Sequence, residues 1–154
     1  FDLLVRLLDP GRTVNSRDLA VANLKPRLRM LTLYYYANRR NYLVVGTGNR
    51  SELTVGYFTK YGDGGVDLLP LGNLVKRQVY ELAAHLGVPE RVLKKPPSAG
   101  LWAGQTDEGE MGLTYAELDA YLLTGEASSE VRQTVARLAR ASEHKRRLPP
   151  IALV

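Results

Sequence analysis

Apolar residues recur at helical spacing over most of the chain and are interrupted by glycine-rich stretches that have no period. Phe1 to Leu8 is largely apolar and meets the turn sequence Asp9-Pro10-Gly11, which predicts a short first helix within residues 1–16. Leu24, Leu28, Leu31 and Tyr35 fall at i, i+4, i+7 and i+11, the stripe of one buried helix face. Pro26 suits that helix only near its start, where a missing N–H costs no bond. Tyr34, Tyr35 and Tyr36 point in different directions on a helix, so one is assigned to the core and another to a subunit contact. Asn41 breaks the helix, and Tyr42-Leu43-Val44-Val45-Gly46 reads as a fully buried strand of the parallel-sheet type.

Further on, Asn73 is placed to cap a helix with Val75, Val79, Leu82, Ala83 and Leu86 on one face, closed by Gly87 and Pro89. Thr114-Tyr-Ala-Glu117 has the form of a capping box, predicting a helix to about Leu123 that ends before Gly125. A last helix from about Ser129 turns Val131, Val135, Leu138 and Ala139 inward and stops before Pro149-Pro150. One visible strand cannot make a sheet. Further strands either hide in weak patterns or are supplied by a region upstream, and a chain opening on Phe1 is expected to begin inside a larger protein.

Composition narrows this picture. A length of 154 residues fits one domain, and 45% apolar residues can bury a core. No stretch approaches a membrane span, and Asp2, Arg6 and Asp9 exclude a secretory signal at the start. Cysteine is absent, which excludes disulfides, thiolate nucleophiles and Cys-ligated metals and permits a cytoplasmic setting. His85 and His144 are the only histidines, too few for a His-rich metal centre. Lys and Arg number 21 against 16 Asp and Glu, a net charge of +5 that points to anionic partners. The charge is segregated: Arg17 to Arg50 holds seven basic residues and one acid, whereas Asp107 to Glu130 holds seven acids and no base. Taken alone, such blocks are most simply solvated faces.

Candidate chemistry begins at the end of the predicted strand. In Gly46-Thr-Gly-Asn-Arg-Ser-Glu52, closely spaced glycines let backbone N–H groups approach an anion, Thr47 offers a hydroxyl, and Glu52 is a hard ligand for Mg²⁺. Ser51 stands where a dinucleotide fingerprint has its third glycine, so a plain strand-to-helix turn competes with this reading. The loop Gly56-Tyr-Phe-Thr-Lys-Tyr-Gly-Asp-Gly-Gly-Val-Asp67 is long, irregular and aromatic, the character of a functional loop. In it Lys60 suits phosphate or carboxylate, Asp63 and Asp67 suit ribose hydroxyls or an amide, and Gly62, Gly64 and Gly65 allow a ligand against bare backbone. Lys76 in isolation reads as a solvated helix residue. Lys94-Lys95-Pro-Pro-Ser98 is either an anion-touching loop or a helix exit. His144-Lys145-Arg146-Arg147 either grips phosphates or complements a helix C-terminus. His85 reads as structural and Trp102 as a packing anchor.

Together these blocks resemble the NAD synthetase family, in its NH3-dependent form or as the synthetase domain of its glutamine-dependent form. The resemblance rests on Asn23-Leu-Lys-Pro-Arg27-Leu-Arg-Met, Gly46 to Leu53, Gly56 to Asp67, Lys76-Arg-Gln-Val-Tyr-Glu-Leu, Lys95-Pro-Pro-Ser98-Ala-Gly-Leu-Trp, Gly104-Gln-Thr-Asp-Glu and His144-Lys145-Arg, covering about residues 20–150. It implies an α/β, parallel-sheet, Rossmann-like domain of the ATP-pyrophosphatase class. It also implies ATP-dependent amidation of deamido-NAD to NAD through an adenylated nicotinate, with Mg²⁺, ammonia or glutamine as nitrogen source, and a homodimer whose contact is the Leu24–Tyr35 helix. By motif position it assigns Thr47, Lys76 and Ser98 to ATP, Glu52 to Mg²⁺, and Arg27, Lys60, Asp67, His144 and Lys145 to deamido-NAD.

The family's phosphate loop, Ser-Gly-Gly-x-Asp-Ser, is not in these residues. The chain is therefore expected to be the helix-rich C-terminal portion, residues 1–154, of a single synthetase domain, and to be inactive alone. Rival readings are a related amidating enzyme such as GMP synthetase, a basic nucleic-acid-binding module with strongly salt-dependent binding, and a non-catalytic dimerisation piece. The Gly62–Gly65 loop and His144-Lys145 speak against the first, and no nucleic-acid or membrane partner is expected.

Overall fold

Helices account for the regular structure of this computed structural model, which describes residues 1–11 and 18–152; residues 12–16 of the first predicted segment and the Arg17 end of the basic block lie outside that range. In chain order they are α1 (Asp2–Leu8), α2 (Leu19–Ala22), α3 (Leu24–Arg40), α4 (Arg50–Val55), α5 (Lys76–His85), α6 (Glu90–Leu93), α7 (Asp107–Met111), α8 (Tyr115–Thr124), α9 (Ser129–Ala141) and α10 (Glu143–Arg146). The core gathers Val55 of α4, Met111 of α7, Leu113, Tyr115 and Leu118 of the α8 region, and Val131 and Val135 of α9. Leu138 packs against this cluster and Ala139 is half-buried, so α9 presents the face its spacing predicts. Burying Val55 in the same cluster anchors α4, and with it the turn at residues 46–49, to this core.

Local signals set many of the helix ends. Thr114 and Glu117 form the predicted capping box, and Gly125 closes α8 in the left-handed region at φ 76°. Asn41 closes α3 with φ 54°, a conformation Asn tolerates better than most residues. Part of the acidic block has a use that a solvated face would not give it. Asp107 and Asp119 are buried, and the Glu108 carboxylate accepts the Tyr115 N–H at 2.8 Å at the start of α8, where negative charge is favoured; Glu117, Glu126 and Glu130 are exposed as a solvated face would have them.

Three sequence expectations are corrected. Val75, not Asn73, occupies the N-cap of α5, and Leu82 and Leu86 are exposed rather than buried. The helix starts where tertiary partners satisfy its first N–H groups, and those partners are not local. On α3 the buried residues are Pro26 and Ala37, with Met30 and Tyr34 half-buried, whereas Leu31 and Tyr35 of the predicted stripe are exposed. Leu24 and Leu28 of that stripe are half-buried as expected, but apolar residues surround α3 on more than one side, so periodicity alone did not find the face that is buried further along the helix. The Tyr42–Gly46 run is extended, but among the described residues it forms one parallel bridge, Val45 with Leu68, and no strand. The Asp67 and Leu68 N–H groups both donate to the Val44 carbonyl, and the Gly46 N–H donates to Leu68. Val44 is buried, while Tyr42, Leu43 and Val45 are exposed because nothing described packs on that face.

The loop at 56–67 is folded on itself. The Thr59 N–H donates to Asp63 at 3.0 Å, and the Thr59 hydroxyl donates to Asn23 at 2.7 Å, tying the loop to the start of α3. A Cβ on Gly64 would lie 2.5 Å from the Phe58 ring, so this glycine serves close packing of the chain's own aromatic rather than open access for a ligand.

Candidate functional site

The turn after the Val45 bridge delivers α4 with its own cap. Asn49 is buried; its side chain accepts the Glu52 N–H at 3.0 Å, and Glu52 Oε2 accepts the Asn49 N–H at 3.1 Å. That reciprocal capping box leaves Glu52 Oε1 aimed at Lys76 Nζ, 3.0 Å away. Both side chains are 17% exposed, and the Lys76 ammonium sits 4.9 Å over the Tyr115 ring. The pair is thus partly dehydrated, where charge acts more strongly than in water.

Around it lies a network without local sequence signature. The Tyr115 hydroxyl donates to Asp107 Oδ2 at 2.9 Å and lies 3.4 Å from Glu52 Oε1. The Tyr57 hydroxyl donates to Glu110, and Gln105 Nε2 donates to the same carboxylate at 2.7 Å. Burial, reinforced by Glu52 and Asp107, holds the Tyr115 phenol far above its ordinary value; burial and the Glu110 bond do the same for Tyr57. Both tyrosines therefore remain O–H donors. Asp107 is itself pushed up by burial, against the lowering effects of the Tyr115 bond and the Lys76 charge, and its Oδ1 has no partner among the described residues. A raised folded-state value contributes stability that is complete below the unfolded carboxylate value, about 3.9, and is lost as pH rises through the folded one. Replacing Asp107 by Asn is accordingly expected to shift relative stability toward the variant as pH rises from about 4 to about 8. Urea midpoints of both proteins across that range check this, and a difference that moves the other way refutes it.

A cleft of about 400 Å³ lies beside the network, lined among others by Arg29, Tyr57, Asp63, Gln105, Glu110 and Lys145. Lys145 Nζ donates to the carbonyls of Gly56 at 2.8 Å and Phe58 at 2.7 Å, and burial pulls its ammonium below the usual lysine value. Lys60 Nζ donates to the His144 carbonyl, so α10 and the 56–67 loop hold each other through two lysines. These ammoniums donate to neutral carbonyls, and the Asp63 carboxylate, which lines the same cleft, acts electrostatically on Lys145.

The structure brings some predicted site residues together and leaves others apart. Glu52 and Lys76 meet, as do Lys60, His144 and Lys145. Asp67 instead sits at the parallel bridge, accepting the Tyr34 hydroxyl at 3.0 Å and the Val44 N–H at 2.7 Å. Thr47 and Arg27 are exposed, and Ser98, also exposed, accepts the Gly100 N–H at 3.1 Å. Sequence reasoning assigned no role to Asp107, Glu110, Tyr57, Tyr115, Ser51 or Asp119. The Gln-Thr-Asp-Glu block was the available signal for Asp107, and Ser51 and Tyr57 lie within the Gly46–Leu53 and Gly56–Asp67 blocks; Glu110, Tyr115 and Asp119 are joined by folding alone. Among the described residues no group of three or more His, Cys, Asp or Glu could hold a metal. Glu52, the carboxylate expected to hold Mg²⁺, has Oε2 on the Asn49 N–H and Oε1 on Lys76 Nζ in this structure.

A capped helix behind an extended run, a half-buried lysine–carboxylate pair and a cleft lined by both Lys145 and Asp63 lie together in this part of the chain. The NAD synthase family model matches residues 4–149, and the chain belongs to that family. It is 58% identical over 154 residues to the NH3-dependent NAD+ synthetase of Carboxydothermus hydrogenoformans, covering 100% of this chain and 63% of that protein. Among solved structures it resembles the NMN synthetase of Francisella tularensis, with TM-score 0.89, 42% identity and coverage of 98% of this chain and 62% of that one. It also resembles the NH3-dependent NAD synthetase of Campylobacter jejuni, solved with a nitrate ion, with TM-score 0.69, 28% identity and coverage of 99% and 61%. The chain thus spans less than two thirds of the length of these relatives, and the neighbours are consistent with an ATP-pyrophosphatase fold. Among the described residues no helix is long and apolar enough to cross a membrane.

Proposed function

We propose that the full-length protein amidates deamido-NAD to NAD with ATP and free ammonia, in the cytoplasm, and that these residues are the C-terminal portion of its α/β catalytic domain. The observation that carries this reading is 58% identity over every residue of the chain with an enzyme named for that reaction. The parallel Val45–Leu68 bridge supports a parallel sheet completed by other parts of the polypeptide.

The chemistry runs in two displacements. A carboxylate oxygen of the nicotinate attacks the α-phosphorus of ATP and pyrophosphate departs, giving an acyl adenylate. Ammonia then adds to the acyl carbon, AMP leaves with the C–O electron pair, and the amide nitrogen sheds a proton. Lys76 supplies positive charge to the phosphates, while Thr47 and Ser98 hydrogen-bond ATP. Glu52 would hold Mg²⁺ in exchange for its Lys76 partner, and the ion would supply charge neutralisation for the departing pyrophosphate. Arg27, Lys60, Asp67, His144 and Lys145 hold deamido-NAD, the lysines exchanging carbonyl partners for substrate anions. The exposed apolar face of α3, with Leu31, Leu33, Tyr35 and Tyr36, supports a homodimer.

The higher TM-score to an NMN synthetase favours a second reading, in which nicotinate mononucleotide is the preferred acid substrate. One experiment decides. Full-length protein with ATP, Mg²⁺ and ammonia is given either acid, and kcat/KM is compared. NAD formation at the higher kcat/KM supports the first reading, preferred NMN formation the second, and neither product overturns both. Residues 1–154 alone are expected to form no product; turnover by this piece would overturn its placement as a partial domain.

A further inference from the structure

We propose that Asp119 is a positioning residue that sets the Lys76–Glu52 pair from a distance, an inference that rests on the amidation reading above. Asp119 lies inside α8 and is 4% exposed. Its partners among the described residues are donors from two other helices. The Ser51 hydroxyl of α4 donates to Oδ1 at 2.5 Å, the Lys76 N–H donates to the same oxygen at 3.3 Å, and the Arg77 N–H donates to Oδ2 at 2.7 Å. Lys76 N–H also reaches Ser51 Oγ at 3.1 Å.

This arrangement replaces a local cap. Val75, at the N-cap of α5, has no side-chain acceptor, and the Gln78 side chain returns only to the Val75 N–H, at 3.0 Å. The first N–H groups of α5 are therefore satisfied by a carboxylate from α8 and a hydroxyl from α4. Ser51 immediately precedes Glu52, and Lys76 is the first residue of α5. One buried carboxylate thus fixes the backbone under both members of the pair. It also occupies the N-terminus of α5, so phosphate charge is left to the Lys76 side chain rather than to the helix end.

Asp119→Asn keeps the shape but turns an NH₂ toward an N–H, donor against donor, and α5 must shift. Because misplacement of about 1 Å can cost orders of magnitude in rate, the effect is expected in the use of ATP. In the full-length protein D119N should raise KM for ATP about tenfold and lower kcat, with KM for the acid substrate within about twofold. Ser51→Ala should act in the same direction by about threefold. A purely structural role would lower the thermal midpoint without this selective change. A folded D119N whose KM for ATP stays within about twofold of wild type overturns the proposal. If D119N does not fold, S51A decides: a selective rise supports the proposal and an unchanged KM overturns it. A wild-type protein that forms neither amide product overturns the functional reading and the proposal together, so the control distinguishes the two failures.

Discussion

Lys76→Met in the full-length protein is expected to lower kcat/KM for ATP by about a hundred- to a thousandfold, the loss that follows if Lys76 is the preorganised cation facing developing phosphate charge, as proposed above. Met keeps the stem and its packing on Tyr115. Glu52 keeps the Asn49 N–H at 3.1 Å, so α4 retains its cap. The stability cost is therefore about 1.5–3 kcal/mol, the loss of one charge-assisted hydrogen bond. Steady-state kinetics with ATP varied, beside a urea titration, separates the two effects. A change in kcat/KM of less than about threefold would remove Lys76 from the phosphate site. If Glu52 and Lys76 act as a unit, Glu52→Gln combined with Lys76→Met will lose far less than the product of the single losses.

Gly56→Ala is expected to be the most damaging small substitution in the loop. Gly56 has φ +70°, and a Cβ there would stand 2.1 Å from both Cβ and Oγ of Ser142, at the junction of α9 and α10. Ser142 is buried and its hydroxyl already donates toward the Val55 and Leu138 carbonyls, so it has little room to yield. Left-handed backbone costs about 1–2 kcal/mol and overpacking about 1–3 kcal/mol, a total of about 2–5 kcal/mol. The same displacement would part Lys145 Nζ from the Gly56 and Phe58 carbonyls and disturb the cleft, raising KM for the acid substrate. Gly125→Ala is the control: its φ is +76° but nothing lies within 4 Å, so only backbone strain remains. Equal urea midpoints for the two variants would show that the Ser142 contact is immaterial.

Much of this molecule is legible without coordinates because its signals are local. The Thr114–Glu117 box, the Gly125 and Asn41 terminators and the Val131–Val135 face of α9 each depend on residues within a few positions of one another. The motif blocks are local too, which is why Glu52, Lys76, Lys60 and Lys145 could be singled out in the linear chain. Where partners are remote, reading along the chain fails. The start of α5 depends on Asp119, 43 positions from Lys76, and the buried face of α3 on the Thr59–Asn23 and Tyr34–Asp67 bonds. Tyr42–Val45 has the composition of a buried strand, yet composition cannot supply the layers that would bury it.

The sequence by itself determined the family, the local caps such as the Thr114–Glu117 box and the identity of the charged groups, because short-range hydrogen bonding and motif spacing are written residue by residue. The tertiary structure alone decided which charges meet: Lys76 on Glu52, Tyr115 on Asp107, Lys145 on the 56–58 carbonyls. The physical reason is that a buried or half-buried polar group must find a donor or acceptor wherever folding brings one, and that partner bears no fixed relation to it along the chain.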